Sequence, residues 1–316
     1  MKILWTADEL VEATEGRPAG IMPGGVGGIS IDTRTLQPGD AFFAIAGETH
    51  DGHDFATAAI AAGASVLVVN EGRLAGLGRL NRPMIVVPDV LAALVKAGIA
   101  ARRRTRAKVI AVHASDKSYN NHWGVPLTLA RMPEDCDYAV LEIGMNHAGE
   151  IRPLTAMVRP HIAIVTLIAA AHLGHFGSLE EIAAAKAEIF EGGEPGGAAL
   201  LNRDDEHWKF LEKAARAAGV AHVYGFGENA RSTFQLLKVK LMGDHSLLTA
   251  EIGGNEVVAR IGVPGRHIVQ NALAVLGAAH LAGADLTRSA AALSSLQAER
   301  GRGRRHRLTL PDGTAT

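Results

Sequence analysis

The chain has 316 residues, enough for about two domains and a sizeable hydrophobic core. Hydrophobic residues make up 47% and charged residues 21%, a globular composition, and the 32 basic and 33 acidic side chains give no general attraction to nucleic acid or anionic membranes. The single cysteine, Cys136, excludes an intrachain disulfide and a cysteine-rich metal site. Acidic residues near the start argue against a signal peptide, and the apolar run at 162–171 is far shorter than the about 18 residues of a membrane span, so we expect a cytoplasmic protein.

Residues 1–105 predict a small α/β domain. Thr6 and Glu9 form a capping-box pattern that opens a short helix, and the glycine- and proline-rich segment 17–28 predicts a loop. The pattern then predicts, in order, short strands within 29–45, a helix at 55–62, strands at 65–69 and 84–87, and a helix capped by Asp89.

A basic cluster marks the start of a second domain, predicted at 106–300. It consists of Arg102, Arg103, Arg104, Arg106 and Lys108. We favour a solvated helix end followed by a linker, and a phosphate-binding patch is the alternative.

The second domain predicts a mostly parallel sheet with an antiparallel appendage. Strand-length apolar runs lie at 109–112, 138–143, 162–166 and 198–201, and helical patterns separate most of them. One of these helices, at 179–190, begins with the capping box of Ser178 and Glu181. Residues 232–263 alternate with a period of two, which predicts antiparallel strands, and Gly253-Gly254-Asn255 is predicted to be a hairpin turn. Helices at 268–282 and 287–296 follow.

Polar residues that follow predicted strand ends are candidates for chemistry, because open parallel sheets bind ligands at that edge. Glu142, His172 and Lys186 are the first set. A carboxylate at such a position suits Mg²⁺, since hard cations prefer oxygen ligands. Taken singly, a capping carboxylate, a core histidine and a surface lysine are the commoner interpretations.

A second set of polar residues could bind a nucleotide or serve only local structure. Asn120 and Asn121 precede a predicted helix, where they can cap it or bind a ligand. Asn202 and Asp204 follow another strand end and can contact a nucleoside or cap the next helix. Asn271 lies near a predicted helix N-terminus, which favours anions.

An ordered set of motifs runs through nearly the whole chain. The set is Asp32-Thr33-Arg34, Pro38-Gly39-Asp40, Gly47, Asp51-Gly52-His53, Tyr119-Asn120-Asn121, Gly124-Val125-Pro126, Glu142-Ile143-Gly144-Met145-Asn146, His172-Leu173, Ala185-Lys186-Ala187-Glu188-Ile189, Asn202, Asp204, Gly265-Arg266-His267 and Asn271. In this order the motifs resemble the Mur ligase family, in particular the type that joins D-alanyl-D-alanine to UDP-N-acetylmuramoyl-tripeptide. A single motif would be weak evidence, whereas the ordered set is specific.

The resemblance implies an ATP-dependent, amide-forming ligase of peptidoglycan precursor synthesis, and with it a role in cell wall biogenesis, cell shape and cell division. In such a ligase ATP phosphorylates the peptide carboxylate, and the incoming amine then displaces phosphate. Catalysis of this kind consists mostly of positioning and of charge neutralisation by Mg²⁺ and lysine.

The resemblance also implies roles for individual residues. The UDP end of the substrate would be held by Asp32, Thr33, Arg34, Asp51, Gly52 and His53. Glu142, His172 and Lys186 would be Mg²⁺ ligands, with Lys186 carbamylated, and His172 and Lys186 would be the catalytic residues. The nucleotide would be contacted by Asn120, Asn121, Asn202, Asp204, Asn271 and Arg302.

The sequence departs from the family pattern where ATP should bind. After the strand at 109–112 the family has a G-x-x-G-K-[ST] loop and a helix, whereas Val112 here runs directly into His113-Ala114-Ser115-Asp116-Lys117-Ser118. Without glycines the backbone N–H groups cannot wrap a phosphate, so we expect this chain not to hold ATP in the way its family does.

Two further departures affect the metal site and the second substrate. The loop Ala169-Ala170-Ala171-His172-Leu173-Gly174 keeps its histidine but lacks the Gly-Pro and Glu of the family. Residues 301–316 are expected to be the start of a C-terminal domain, and D-Ala-D-Ala would bind only if that domain is supplied elsewhere.

Three functions follow from these observations. The first is an ATP-dependent ligase, completed by another chain. The second is a non-catalytic remnant that still binds the UDP-muramoyl peptide, and the third is an interaction protein that uses the central domain. The missing loop favours inactivity of the isolated chain. We expect neither a nucleic-acid partner nor a membrane span.

Overall fold

A computed structural model describes residues 2–77, 82–113, 119–170 and 176–297. The chain divides into two compact units. The first comprises the described residues of Met1–Ala163 and Ala169–Gly197. The second comprises Ile164–Ile168 and the described residues from Ala198 onward. The predicted domain limits 1–105, 106–300 and 301–316 stay predictions.

The first unit alternates strands and helices from its start. Its strands are β1 (Trp5–Thr6), β2 (Arg17–Ala19), β3 (Gly25–Val26), β4 (Ile29–Ser30), β5 (Ala41–Phe43), β6 (Val66–Asn70), β7 (Met84–Val87), β8 (Lys108–His113) and β9 (Tyr138–Glu142), with β10 (Ile162–Val165) at the division between the units. Its helices are α1 (Ala7–Thr14), α2 (Ala56–Ala61), α3 (Leu74–Leu77), α4 (Val90–Arg104), α5 (Gly124–Ala130), α6 (Ile151–Val158) and α7 (Leu179–Ala187), with 3₁₀ turns at Gly52–Phe55, Glu71–Arg73 and Glu188–Phe190.

A five-stranded sheet in the order β2-β7-β6-β5-β4 organises the start of this unit. Strands β4 to β7 pair in parallel, and β2 joins the edge antiparallel to β7. One face packs against α1, α4 and α5 around Phe43 and Leu94, and the other packs against α2 around Phe42 and Ala59. Further along, β8 and β9 form a parallel pair.

Local capping explains several helix starts. Thr6 and Glu9 form the predicted capping box of α1, and Oδ1 of Asp89 accepts the N–H of Ala92 at 2.9 Å to cap α4. α1 ends at Thr14, and its C-cap residue Glu15 has a left-handed backbone with φ of 52°. The adjacent Gly16 is needed for packing, because a Cβ there would lie 2.3 Å from Cγ2 of Ile85.

The second unit begins in parallel and ends antiparallel. Its strands are β11 (Ala198–Asn202), β12 (His222–Gly227), β13 (Phe234–Leu241), β14 (Ser246–Ile252) and β15 (Asn255–Ile261), and its helices are α8 (Trp208–Ala217), α9 (Arg266–Leu281) and α10 (Leu286–Ala292), with a 3₁₀ turn at Leu293–Ser295. β12 pairs in parallel with β11 and β13, whereas β14 pairs antiparallel with β13 and β15. The predicted α/β fold with an antiparallel appendage is confirmed.

Two sequence-based expectations were wrong in detail. The segment 17–28, predicted as a loop, contributes β2 and β3, and Pro18 is tolerated there because β2 is an edge strand. The turn between β14 and β15 has two residues, Gly253 and Gly254 with φ of 59° and 80°, while Asn255 already pairs with Ile252. Among the described residues, no helix has both the length and the apolar character to cross a bilayer.

Candidate functional site

The Asp32 turn follows β4 at the carboxyl edge of the five-stranded sheet. Oδ1 of Asp32 accepts the backbone N–H of Arg34 at 2.9 Å, and its two carboxylate oxygens also accept hydrogen bonds from the Arg34 guanidinium. These bonds, led by the one from the Arg34 side chain, hold the pKa of Asp32 below its ordinary value. The Arg34 side chain is 87% exposed. The turn therefore presents a fixed carboxylate and an accessible guanidinium to solvent, with Thr33 between them.

The Asp51–His53 motif has a different environment. Asp51 caps the 3₁₀ turn by accepting the backbone N–H of His53 at 3.0 Å. Nδ1 of His53 lies 2.5 Å from Oδ1 of the same carboxylate, and Nε2 accepts the backbone N–H of Asn70 at 2.9 Å. This pattern assigns the ring proton to Nδ1 of a neutral imidazole. His53 is only 7% exposed, and both of its ring nitrogens bond to groups of the protein.

Neighbouring groups also set the charge of Asp51. Burial raises the pKa of Asp51, but the backbone N–H and ring of His53, together with Arg73, outweigh burial and hold the pKa below its ordinary value. Gly52 is required by space, because a Cβ there would lie 2.7 Å from the carbonyl carbon of Ala44 and from the backbone nitrogen of Ile45. The predicted substrate motif is thus also a structural support for β5.

Asn120 and Asn121 have separate functions. Nδ2 of Asn120 donates to Oε1 of Glu142, at the end of β9, at 3.0 Å. Asn121 fixes the turn that leads into α5, since its Oδ1 accepts the backbone N–H groups of Trp123, the N-cap residue, and of Gly124 at 3.1 and 2.9 Å. The structure therefore brings Asn120, a predicted nucleotide ligand, to Glu142, a predicted metal ligand, whereas Asn121 holds the turn before α5.

Glycine at position 144 makes the contact between Asn120 and Glu142 possible. A Cβ on Gly144 would lie 2.5 Å from Nδ2 of Asn120, and the backbone N–H of Gly144 donates to the Asn120 carbonyl at 2.9 Å. Glu142 is half-buried, and within residues 2–77, 82–113, 119–170 and 176–297 no hydrogen bond is made to its Oε2, which suits a cation ligand at a strand end.

Lys186 lies on α7, and Ser178 caps this helix through the N–H of Glu181. Lys186 is buried, which is unusual for a lysine outside an ion pair or a functional site. His172, the third predicted metal ligand, lies outside the described residues, as does Arg302. Among the described residues, no three histidine, cysteine, aspartate or glutamate side chains form a metal-binding group.

In the second unit, Asn202 and Asp204 organise the strand ends. Asn202 is buried, and its Oδ1 accepts the backbone N–H of Asp204 at 2.9 Å. The Asp204 carboxylate accepts the N–H groups of Glu228 and Asn229, at 2.7 and 2.9 Å, in the loop after β12. Asn271 is exposed on α9. Asn202 and Asp204 therefore hold together the segments that follow β11 and β12. The exposed amide of Asn271 is available to a ligand.

Sequence reasoning did not assign a function to Glu188. This buried carboxylate accepts the backbone N–H of Gly149 through Oε1 at 2.6 Å and that of Arg152 through Oε2 at 3.1 Å. It thereby joins the segment after β9 to the segment that follows Lys186. The sequence could have indicated Glu188 as a functional residue, because it lies two residues after Lys186 in the motif Ala185-Lys186-Ala187-Glu188-Ile189.

Comparison with known proteins identifies the family. Residues 89–279 match the family described as Mur ligase middle domain, and residues 25–117 match the Mur ligase family, catalytic domain. The chain belongs to the Mur ligase family.

Individual Mur ligases resemble the chain over most of its length. The UDP-N-acetylmuramoyl-tripeptide--D-alanyl-D-alanine ligase of Escherichia coli (strain K12) is 34% identical over 298 residues, which cover 87% of this chain and 64% of that protein. A crystal structure of MurF from Acinetobacter baumannii has a TM-score of 0.81 and 28% identity, covering 97% of this chain and 71% of that one. MurF from Thermotoga maritima, solved in complex with ADP, shares the fold with a TM-score of 0.66 at 20% identity. The chain thus spans 64% of the length of the E. coli ligase.

Proposed function

We propose that the chain supplies the UDP-substrate-binding and central portions of a cytoplasmic Mur ligase of the MurF type. Its substrates would be UDP-N-acetylmuramoyl-tripeptide and, where a dipeptide-binding domain is present, D-Ala-D-Ala. The observation that carries this proposal is the 34% identity to the E. coli ligase across 87% of the chain. The predicted roles of the individual site residues are part of the proposal.

The UDP end of the substrate is assigned to the Asp32 turn. A guanidinium matches the geometry of phosphate oxygens, and Arg34 is both exposed and held in place by Asp32. Asp51, Gly52 and His53 would contribute by fixing the backbone after β5, since the ring of His53 is fully engaged inside the protein.

Mg²⁺ is assigned to Glu142, Lys186 and His172. The half-buried Glu142 carboxylate, oriented by Asn120, fits an oxygen-preferring cation. Lys186 would join as a ligand after carbamylation, which converts the amine into an anionic oxygen donor of the kind that Mg²⁺ prefers. When bound, the cation would neutralise charge on phosphate groups.

ATP does not fit the chain in the manner of its family. Residues 113–118 contain no glycine, so they cannot provide the backbone cradle that β- and γ-phosphates require. Asn202 and Asp204 already serve the protein's own backbone. We therefore propose that the isolated chain binds the UDP-muramoyl peptide without turning it over. This makes a non-catalytic, substrate-binding function the second candidate.

Calorimetry and a coupled ADP-release assay test both parts of this proposal. UDP-N-acetylmuramoyl-tripeptide should give measurable heat, ATP with Mg²⁺ should give none, and no ADP should form with all substrates present. Loss of one transition-state donor already lowers rates on the order of 10²–10³-fold, and here the whole cradle is missing.

Two results would contradict the proposal in different ways. Absence of heat with UDP-muramoyl peptide would remove the substrate assignment. Substrate-dependent ADP release would instead overturn the inactivity, and Lys117 and Arg266 would then be the first residues to substitute in a search for a replacement phosphate site.

A further inference from the structure

A cavity of about 880 Å³ in the first unit reaches Thr35 at the end of the Asp32 turn, but Asp32, Thr33 and Arg34 do not line it. Gly28 and Ile29 form part of its wall at the amino end of β4, whereas the Asp32 turn follows the carboxyl end of that strand. Charged residues of both signs line it, among them Asp40, Arg104, Arg106 and Arg131. Its volume is in the range of small-molecule sites.

Asp40 provides a buried negative charge in this wall. The residue is 8% exposed, and Oδ2 accepts the backbone N–H of Gln37 at 2.9 Å. Within the described part of the chain, Oδ1 accepts no hydrogen bond. Gly28 makes room for this oxygen, because a Cβ there would lie 2.4 Å from it. One oxygen of a largely buried carboxylate is therefore available to a hydrogen-bond donor in the cavity.

Arg131 provides a positive charge beside it. Nε donates to the carbonyl of Ile29 at 2.6 Å, which fixes the guanidinium next to the residue that follows Gly28. In the described ranges, the terminal nitrogens of Arg131 have no hydrogen-bond or ion-pair partner, and Arg131 forms no ion pair with Asp40. Two opposite charges thus flank one stretch of β4 without neutralising each other.

The other charged side chains of the cavity wall are packed against the protein or exposed to solvent. Arg104 stacks 3.5 Å from the centre of the Trp5 ring and donates to the carbonyl of Leu4 at 2.9 Å, and its Nε, which has no hydrogen-bond partner, is buried out of reach of a ligand. Lys2 and Asp135 form an exposed pair at 3.0 Å. Arg106 and Glu134 are exposed. The buried Asp40 and the partly buried Arg131 are therefore the groups that a ligand inside the cavity would meet.

We propose that this cavity binds a small zwitterion, a free amino acid or a short peptide, with its ammonium on Asp40 and its carboxylate on Arg131. A simple anion would face Asp40 and a simple cation would face Arg131, whereas a zwitterion satisfies both. A guanidinium binds carboxylates through two parallel hydrogen bonds. Ile3, Leu4, Ile29 and Pro133 give the wall an apolar portion that suits an aliphatic side chain.

Calorimetry on the full chain can test this with leucine and leucyl-leucine, which distinguish a free amino acid from a peptide. The matched controls are 4-methylpentanoate, which lacks the ammonium, and 3-methylbutylamine, which lacks the carboxylate. Each control should bind at least about tenfold more weakly, because one charged hydrogen-bonding group is lost. Equal binding of a control, or no heat from either zwitterion, would refute the proposal without variants.

Substitutions then locate the site. Asp40→Asn and Arg131→Gln should each weaken zwitterion binding by about tenfold or more. Arg103→Gln is the matched control, since Arg103 is exposed on the same helix as Arg104 and lines a neighbouring cleft. Arg131→Lys, which keeps the charge, separates ion pairing from bidentate binding, and thermal unfolding verifies that each variant is folded. An equal loss in Arg103→Gln would refute the assignment. Because Arg34 lies outside this cavity, failure here leaves the proposed UDP-substrate binding untouched.

Discussion

In two turns at the carboxyl edge of the same sheet, an aspartate binds a basic residue two positions further along the chain, but the two turns differ in their exposure to solvent. In the Asp32 turn the carboxylate holds an arginine that is 87% exposed. In the Asp51 turn it holds a histidine that is 7% exposed and bonded on both ring nitrogens. Both motifs resemble substrate-binding segments of one family, but the arginine of the first motif is exposed to solvent, whereas the histidine of the second is buried.

The difference shows that residues of one binding motif can divide between contact and support. Arg34 can reach a ligand and adds little to folding, because an exposed ion pair is weak. Gly52 and His53 hold the chain after β5 through buried contacts. Substitutions in the two turns should therefore affect different measurements, and the following experiments can break or sharpen the distinction.

The largest effect is expected for Gly52→Ala. The added Cβ would lie 2.7 Å from backbone atoms of Ala44 and Ile45, which cannot move without disturbing β5. We expect a loss of roughly 1–3 kcal/mol in the free energy of unfolding, measured by urea denaturation. Gly24→Ala is the control, because nothing lies within 4 Å of its Cβ position, and it should be neutral or slightly stabilising. If both variants unfold like the unsubstituted chain, the supporting function of the Asp51 turn is wrong.

Arg34→Ala should leave urea denaturation unchanged and weaken UDP-N-acetylmuramoyl-tripeptide binding by about tenfold, because one charge-assisted contact is lost. Calorimetry measures the affinity. Arg73→Ala is the matched control, since this exposed arginine pairs with Asp51 in the other turn. It should keep the affinity close to that of the unsubstituted chain. A larger loss of affinity in Arg73→Ala than in Arg34→Ala would reverse the assignment of the two turns.

The smallest effect concerns pH. The pKa of Asp51 is held below its ordinary value of 3.8, so its stabilising contribution is present above that pH and is lost as pH falls through the lowered pKa. Asp51→Asn should therefore be less stable than the unsubstituted chain at pH 6, and the gap should narrow below pH about 3.8. Urea denaturation of both proteins, from pH 6 to below about 3.8, measures this difference in stability. Asp135→Asn is the control: Lys2 lowers the pKa of Asp135 as well, but solvent screens this exposed pair, so the variant should show almost no stability difference at any pH.

The sequence determined those elements whose signals are local. The capping residues Thr6, Asp89 and Ser178 predicted three helix starts, because a cap joins groups within three positions along the chain. The apolar run at 84–87 predicted β7 for a similar reason. The ordered motifs also determined the family, since their residues and order can be read without a structure.

Pairing over long distances required the tertiary structure. Strand β12, which contains two glycines and an exposed histidine, has no clear period and forms because β11 and β13 flank it. Gly98 has no local signal, but its missing side chain lets α4 approach α5 at Pro126, where a Cβ would lie 3.0 Å from the carbonyl oxygen.

Tertiary structure also decided what each site residue contacts. The sequence placed Asp32 and Asp51 in one substrate site, but burial separated an exposed arginine from an internal histidine. The sequence showed Asp40 as part of a turn motif and gave no sign of Arg131. Both residues line the same cavity, although Arg131 lies 91 positions further along the chain. Residue types and their order are encoded locally, whereas exposure and partners depend on which distant segments pack together, and that follows only from the folded core.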